Sequence, residues 1–193
     1  MSSLFEKTLN TRTVIPGSFR YIRSEFPETL TDKDVAWLKA NNVTTVVDLR
    51  DPESCEKKVC RLENEEGFDY HHMPVTVGMQ VPPTPDDVPI AYSMMVDDNL
   101  YKIIDFIEKC PTGVLYFCNA GKDRTGVVSA MLLKRAGYDR EVIVDNYVLS
   151  ADNLREKLVA FVADHEGLDI NVVIPKRMYM ERFLDFVESK SRQ

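Results

Sequence analysis

Between Gly113 and Arg135 a short apolar run stops in a glycine-bearing loop and restarts as a helix. That passage limits the fold of the chain more than any other. Gly113-Val114-Leu115-Tyr116-Phe117 is apolar and β-prone. Thr125 to Arg135 places Val127, Val128, Met131 and Leu132 on one helical face. The connecting segment reads Cys118-Asn119-Ala120-Gly121-Lys122-Asp123-Arg124, followed by Thr125 and Gly126. A strand that ends this way aims backbone N–H groups and the positive end of a helix at one point. Such a point binds anions, and here a thiol stands in it.

A free cysteine has a pKa of about 8.5 and is mostly thiol at neutral pH; a helix N-terminus or a neighbouring arginine lowers such values to roughly 3.5–7.5. Arg124 offers a planar fork of donors that matches two phosphate oxygens. Cys118 is therefore the candidate nucleophile, attacking phosphorus in line to form a thiophosphoryl enzyme that water cleaves. Asn119, Ala120, Gly121, Lys122 and Gly126 are candidates for holding the phosphate. Thr125 is placed to donate a hydrogen bond to the sulfur. The scheme calls for no metal and no cofactor, because backbone N–H groups and Arg124 carry the charge stabilisation.

The pattern Cys-x5-Arg followed by Thr resembles the signature of the cysteine-dependent phosphatases. Cys-x-Ala-Gly-Lys-Asp-Arg-Thr-Gly is similar to the bacterial tyrosine/serine phosphatases that include members active on phosphoinositides. The likeness extends to Gly17-Ser18-Phe19-Arg20-Tyr21-Ile22-Arg23-Ser24, to Leu30-Thr31-Asp32-Lys33-Asp34 and to Val46-Val47-Asp48-Leu49-Arg50. The resemblance implies a fold of the dual-specificity phosphatase type. It implies Cys118 as nucleophile, Arg124 as phosphate binder, Lys122 as a position tied to lipid activity and Asp123 as general acid–base. One departure stands out: the family places His directly before the cysteine, and this chain has Phe117. Loss of that His predicts a slower enzyme.

Asp123 is the leading general acid, with Asp48, at the end of a strand, as the second candidate and Arg50 flanking the pocket. The expected substrates are phosphotyrosine proteins, with phosphoserine, phosphothreonine or phosphoinositides as further classes. An alternative is a pseudophosphatase-like module that binds phosphorylated ligands with weak or no turnover. Phe117 speaks for it, and the retained Cys118 speaks against it. A sulfurtransferase or an arsenate reductase would also pair a cysteine loop with an oxyanion, but Gly-Lys-Asp-Arg-Thr-Gly fits the phosphatases better.

The chain of 193 residues suits a single domain over 1–193. Its net charge of −7 argues against nucleic acid as partner, so a phosphate ester must find a local positive pocket. No apolar run approaches the ~20 residues of a membrane span, so stable membrane insertion is not expected. Met1-Ser2-Ser3-Leu4-Phe5-Glu6-Lys7 lacks the layout of a signal peptide, which makes the cytoplasm the expected location. Cys55-x4-Cys60 matches no common zinc spacing, and His71-His72 point to opposite strand faces, so the cysteines are expected as free thiols. Nothing in the sequence signals an oligomeric state.

Along the chain, Phe19–Arg23, Val43–Leu49 and Phe68–Met73 read as strands, the second buried on both faces as in a parallel sheet. Thr31 with Asp34 reads as a capping box ahead of Val35, Trp37 and Leu38. Tyr92–Lys109 is expected as one amphipathic helix. After the loop helix, Arg140–Leu149 capped by Asp139, Asp152–Asp164 and Pro175–Ser189 read as helices. Pro74–Pro89 holds five prolines and reads as a loop of restricted flexibility, either a rim or lid over the phosphate loop or a solvent-exposed insertion. Lys57, Lys58 and Arg61 read as a solvated basic face. The sum is an α/β fold with a central, mainly parallel sheet flanked by helices.

Overall fold

A computed structural model describes residues 3–77 and 81–190. Five strands form one sheet: β1 (Arg12–Thr13), β2 (Tyr21–Glu25), β3 (Val43–Asp48), β4 (Asp69–His72) and β5 (Gly113–Cys118). Their order is β1-β2-β5-β3-β4. Only β1, at the edge, runs antiparallel to its neighbour. The central, mainly parallel α/β sheet expected from the sequence is present.

Alternation along β5 sorts its side chains onto two faces. Val114, Tyr116 and Cys118 enter a large core with α4 (Asp98–Lys109), α5 (Arg124–Arg135), α6 (Arg140–Asn153) and α9 (Arg177–Lys190). Leu115 and Phe117 enter a smaller core with Ile22, Val43 and Val46, closed by Val35 and Leu38 of α1 (Asp32–Ala40). Helices thus cover both faces, as a parallel sheet requires.

Capping fixes where the helices begin. Thr31 accepts from the Asp34 N–H and the Asp34 carboxylate accepts from the Thr31 N–H, which is the reciprocal box read in the sequence. The helix expected over Tyr92–Lys109 is two helices, α3 (Asp87–Met94) and α4. Asp97 is extended, at φ −130° and ψ 178°, and its side chain accepts from the Leu100 N–H. A side chain that caps here cannot sit inside a continuing helix. From that cap, Leu100, Ile103, Ile104 and Ile107 line the buried face.

Asp139 is the N-cap residue of α6, but its side chain makes no capping bond. The helix expected to end at Leu149 runs on to Asn153. Leu154 then separates it from α7 (Arg155–Ala163), and α8 (Ile170–Val173) follows. Leu154, Leu158 and Val173 form a small cluster of their own on this α7–α8 segment. The remaining short helix, α2 (Pro52–Lys57), follows β3 and is capped by Asp51, which accepts from the Ser54 N–H.

The carboxyl ends of β3 and β5 lie side by side, with Asp48 opposite Phe117 in register. On the other flank Glu25 of β2 lies opposite Cys118. The segment from Cys118 to α5 therefore emerges at the carboxyl edge of the sheet, where open α/β domains place their sites.

Candidate active site

Gly121 gives the loop its shape. It adopts φ +65°, and a Cβ there would lie 2.3 Å from the Glu25 backbone nitrogen and 2.5 Å from the Ser24 carbonyl group. Only glycine combines that backbone conformation with so close an approach to β2. The Gly121 carbonyl, turned inward, accepts from Arg23 Nη2 at 2.8 Å and from Asn10 Nδ2 at 3.0 Å. Asn119 O accepts from the Phe26 N–H, and Asn119 Nδ2 donates to Ser54 Oγ of α2. The loop is thereby tied to β2 on one side and to α2 on the other.

A cleft of ≈ 300 Å³ opens over this loop. Cys118, Asn119, Ala120, Lys122, Asp123 and Arg124 all line it, so six of the candidates are brought together. Cys118 is only 3% exposed. Arg124 is held from the β3–α2 connection: Nη1 donates to the Leu49 carbonyl at 3.3 Å and lies 3.6 Å from Asp51 Oδ2. Burial alone would raise the Asp51 carboxyl, but bonds from the Ser54 side chain and N–H, together with Arg124, hold it below the usual range.

Asp123 sits at the cleft wall with both carboxylate oxygens engaged. Tyr92 Oη donates to Oδ1 at 2.5 Å, and Lys122 Nζ lies 2.7 Å from Oδ2. Tyr92 and Tyr147 hydroxyls are 2.8 Å apart. A hydroxyl has one proton to give, so Tyr147 donates to Tyr92 and Tyr92 to Asp123. Burial first, then the Asp123 charge, pushes both phenols well above their ordinary value, which keeps these donors protonated. Lys122 thus lines the cleft as the partner of Asp123.

Three candidates lie back from the cleft. Gly121 faces β2, as above. Thr125 is fully buried on the first turn of α5, and its hydroxyl has no hydrogen-bond partner among the described residues. Gly126 packs against Tyr147, whose ring a Cβ would approach to 3.1 Å.

Asp48 and Arg50 are both buried and bind each other. Arg50 Nε and Nη2 reach the Asp48 carboxylate at 2.6–3.0 Å, and Tyr70 Oη donates to it at 2.6 Å. The guanidinium stacks 3.9 Å from the Phe26 ring centroid. Burial disfavours the Arg50 charge, and the hydrogen bond and charge of Asp48 more than offset it, leaving Arg50 above the usual arginine value. This pair holds the β3 end rather than entering the cleft. Phe117 lies beside it in the smaller core, 5.9 Å from Phe26 between ring centroids.

The rest of the cleft lining comes from Leu154 at the α6–α7 junction, Lys157, Leu158 and Phe161 of α7, and Val173 of α8. Sequence reasoning did not select them, since an apolar helix face reads the same whether it meets a core or a cleft. Among the described residues, Val81 is the contribution of the Pro74–Pro89 segment to the cleft. Residues 78–80 of that segment lie outside the described residues. Asp86 pairs with Arg182, and Asp87 accepts from Thr84. Lys57, Lys58 and Arg61 pair with Glu53, Glu28 and Asp32 on an exposed face. All four cysteines are free thiols.

The tyrosine phosphatase family profile matches residues 7–192. The chain belongs to the tyrosine phosphatase family. It is 30% identical over 152 residues to a tyrosine-protein phosphatase of Nostoc commune, covering 74% of this chain and 51% of that one. A stretch of 41 residues is 54% identical to the triple specificity protein phosphatase PtpB of Mycobacterium tuberculosis, covering 21% of this chain and 15% of that one. The chain therefore spans about half the length of the first of these relatives and less of the second. Among solved structures, a DUF442 protein of Shewanella putrefaciens superposes with a TM-score of 0.53 over 95% of each chain, at 13% identity. That likeness concerns the fold. No helix among the described residues is long and apolar enough to cross a membrane.

Proposed function

We propose that the protein is a phosphomonoesterase that works through a cysteinyl-phosphate on Cys118, with phosphotyrosine as its main substrate class. The observation that carries this reading is the placement of Cys118 and Arg124 on one cleft, at the N-terminus of α5, inside a loop anchored on both sides. Arg124 and the loop N–H groups bind the phosphate oxygens and neutralise the charge that builds up during transfer. The Cys118 thiolate attacks phosphorus, and the ester P–O bond breaks. Asp123, at the cleft wall, supplies the proton to the leaving oxygen. Water then attacks the thiophosphate, giving its proton to Asp123 and releasing the thiolate.

The cleft walls support an aromatic ester. Leu154, Leu158, Phe161 and Val173 present apolar surface beside the phosphate site, which suits a phenyl ring better than a sugar or inositol. Lys157 is the one cation on that wall. The reading is tested by phosphate release from p-nitrophenyl phosphate, a phosphotyrosine peptide, a phosphoserine peptide and a phosphoinositide, with wild type and Cys118→Ser. The expected result is turnover highest on phosphotyrosine and abolished by the substitution. Phosphopeptide binding without turnover at any pH from about 5 to 8 would replace it with a binding module, a range set by where a thiolate of this kind forms.

A further inference from the structure

Arg23 is fully buried and does not line the cleft. Its Nη1 donates to Asn146 Oδ1 at 2.8 Å and its Nη2 to the Gly121 carbonyl at 2.8 Å; its Nε has no partner among the described residues. Both acceptors are neutral. Taking a guanidinium out of water without a carboxylate is costly, and proteins rarely leave such a charge uncompensated.

The groups around it narrow the source of the countercharge. Arg12 of β1 is a second buried cation, bonded to the Asn146 carbonyl and Ser150 Oγ. Glu25 of β2 accepts from the N–H groups of Leu9 and Asn10 and keeps its charge, which acts on Arg12. Tyr116 of β5, Tyr92 of α3 and Tyr147 of α6 also face Arg23, and burial raises all three phenols. They stay neutral near pH 7. Of the loop groups, Asp123 lies against Lys122 when ionised and is neutral when it holds the proton for transfer, and Arg124 is a cation beside Asp51. Cys118 remains: in the β2–β5 register Arg23 lies opposite Tyr116, two residues before Cys118 and on the same face of the sheet.

We infer that Arg23 is a positioning residue for catalysis: its buried charge is balanced by the Cys118 thiolate, and its bond to Gly121 holds the loop around that thiolate. The inference rests on the proposed role of Cys118. It gives this chain thiolate support from β2, where the residue before the cysteine, Phe117, supplies none.

The test reads alkylation of Cys118 directly, by peptide mass, with iodoacetamide across pH in wild type, Arg23→Met, Arg23→Gln and Arg23→Lys. Cys55, which burial raises to about 11, and Cys60, raised to about 12, serve as slow internal references. Near-UV circular dichroism monitors folding. Neutral variants should move the alkylation midpoint up by about one pH unit, and cut kcat/KM near pH 6 by about tenfold. Arg23→Lys should restore most of both. An unmoved midpoint in a folded neutral variant would overturn the inference. So would Arg23→Lys shifting as far as Arg23→Met, because the guanidinium would then serve geometry alone. Unfolding of both neutral variants would overturn it as well, by giving Arg23 to the fold. Since the readout needs no turnover, failure here stays distinct from failure of Cys118→Ser to abolish hydrolysis.

Discussion

Gly121→Ala isolates the shape of the loop from its chemistry. Gly121 sits at φ +65°, and Gly137, at the end of α5, sits at φ +79°. An alanine at either position meets the left-handed backbone cost of roughly 1–2 kcal/mol. The two sites differ in space. At Gly137 nothing lies within 4 Å of the added Cβ, whereas at Gly121 it would lie 2.3 Å from backbone of β2. The atoms in the way are main chain in the middle of the fold, so the loop itself must shift by about 1 Å to reach ordinary contact. Such overpacking adds typically 1–3 kcal/mol. Gly137→Ala should therefore cost about 1–2 kcal/mol, and Gly121→Ala about 2–5 kcal/mol. For a chain of this size each kcal/mol is worth about 2–4 °C of Tm. A 1 Å displacement of a positioning loop can cost on the order of a hundredfold in rate. Urea melts and kcat/KM on p-nitrophenyl phosphate check both quantities. Equal destabilisation by the two alanines, or full activity in Gly121→Ala, would refute the close-approach argument.

Other expectations follow from the same geometry. Asp48→Ala leaves the buried Arg50 charge unpaired, so it should cost about 3–5 kcal/mol in a chemical melt; a loss of activity with unchanged stability would instead place Asp48 in the chemistry. Tyr92→Phe removes the donor to Asp123, and should lower kcat on a poor leaving group more than on p-nitrophenol while costing about 1 kcal/mol of stability. Because the Asp51 carboxyl is held below its ordinary value, its contribution is present above the unfolded value of about 3.9 and is lost as pH falls through the lower folded value. The Tm gap between wild type and Asp51→Asn should accordingly be full at pH 6 and close towards pH 2. Phe161→Ala should raise KM for a phosphotyrosine peptide, with little change in the Cys118 alkylation rate.

Much of this was legible in the sequence because it is local. The strand–loop–helix unit, the Thr31 box and the β-prone runs are each decided by residues close along the chain. The α3–α4 break was in principle readable too: Asp97-Asp98 precedes Leu100 at cap spacing, but the apolar spacing on both sides hides the stop. What the sequence withheld depends on contacts distant along the chain. Asn10 and Asn146 approach the loop only after folding, and the α7–α8 wall is apolar in a way that any packed helix would be. Arg23-Ser24-Glu25 carried a usable signal, three polar residues in a row on an interior strand, which implies buried partners. Asp48 illustrates the converse. A carboxylate at a strand end reads either as a second candidate acid or as an anchor for loop amides, and what the sequence does not show is that Arg50, two residues on, folds back onto it.

The most direct test of the central claim is acid-quenched mass spectrometry of the enzyme during turnover of a phosphotyrosine peptide. The account predicts a phosphoryl group on the peptide that carries Cys118, at no other residue, and absent in Cys118→Ser. Sustained phosphate release by Cys118→Ser, or a phosphoryl group on any residue but Cys118, would contradict it.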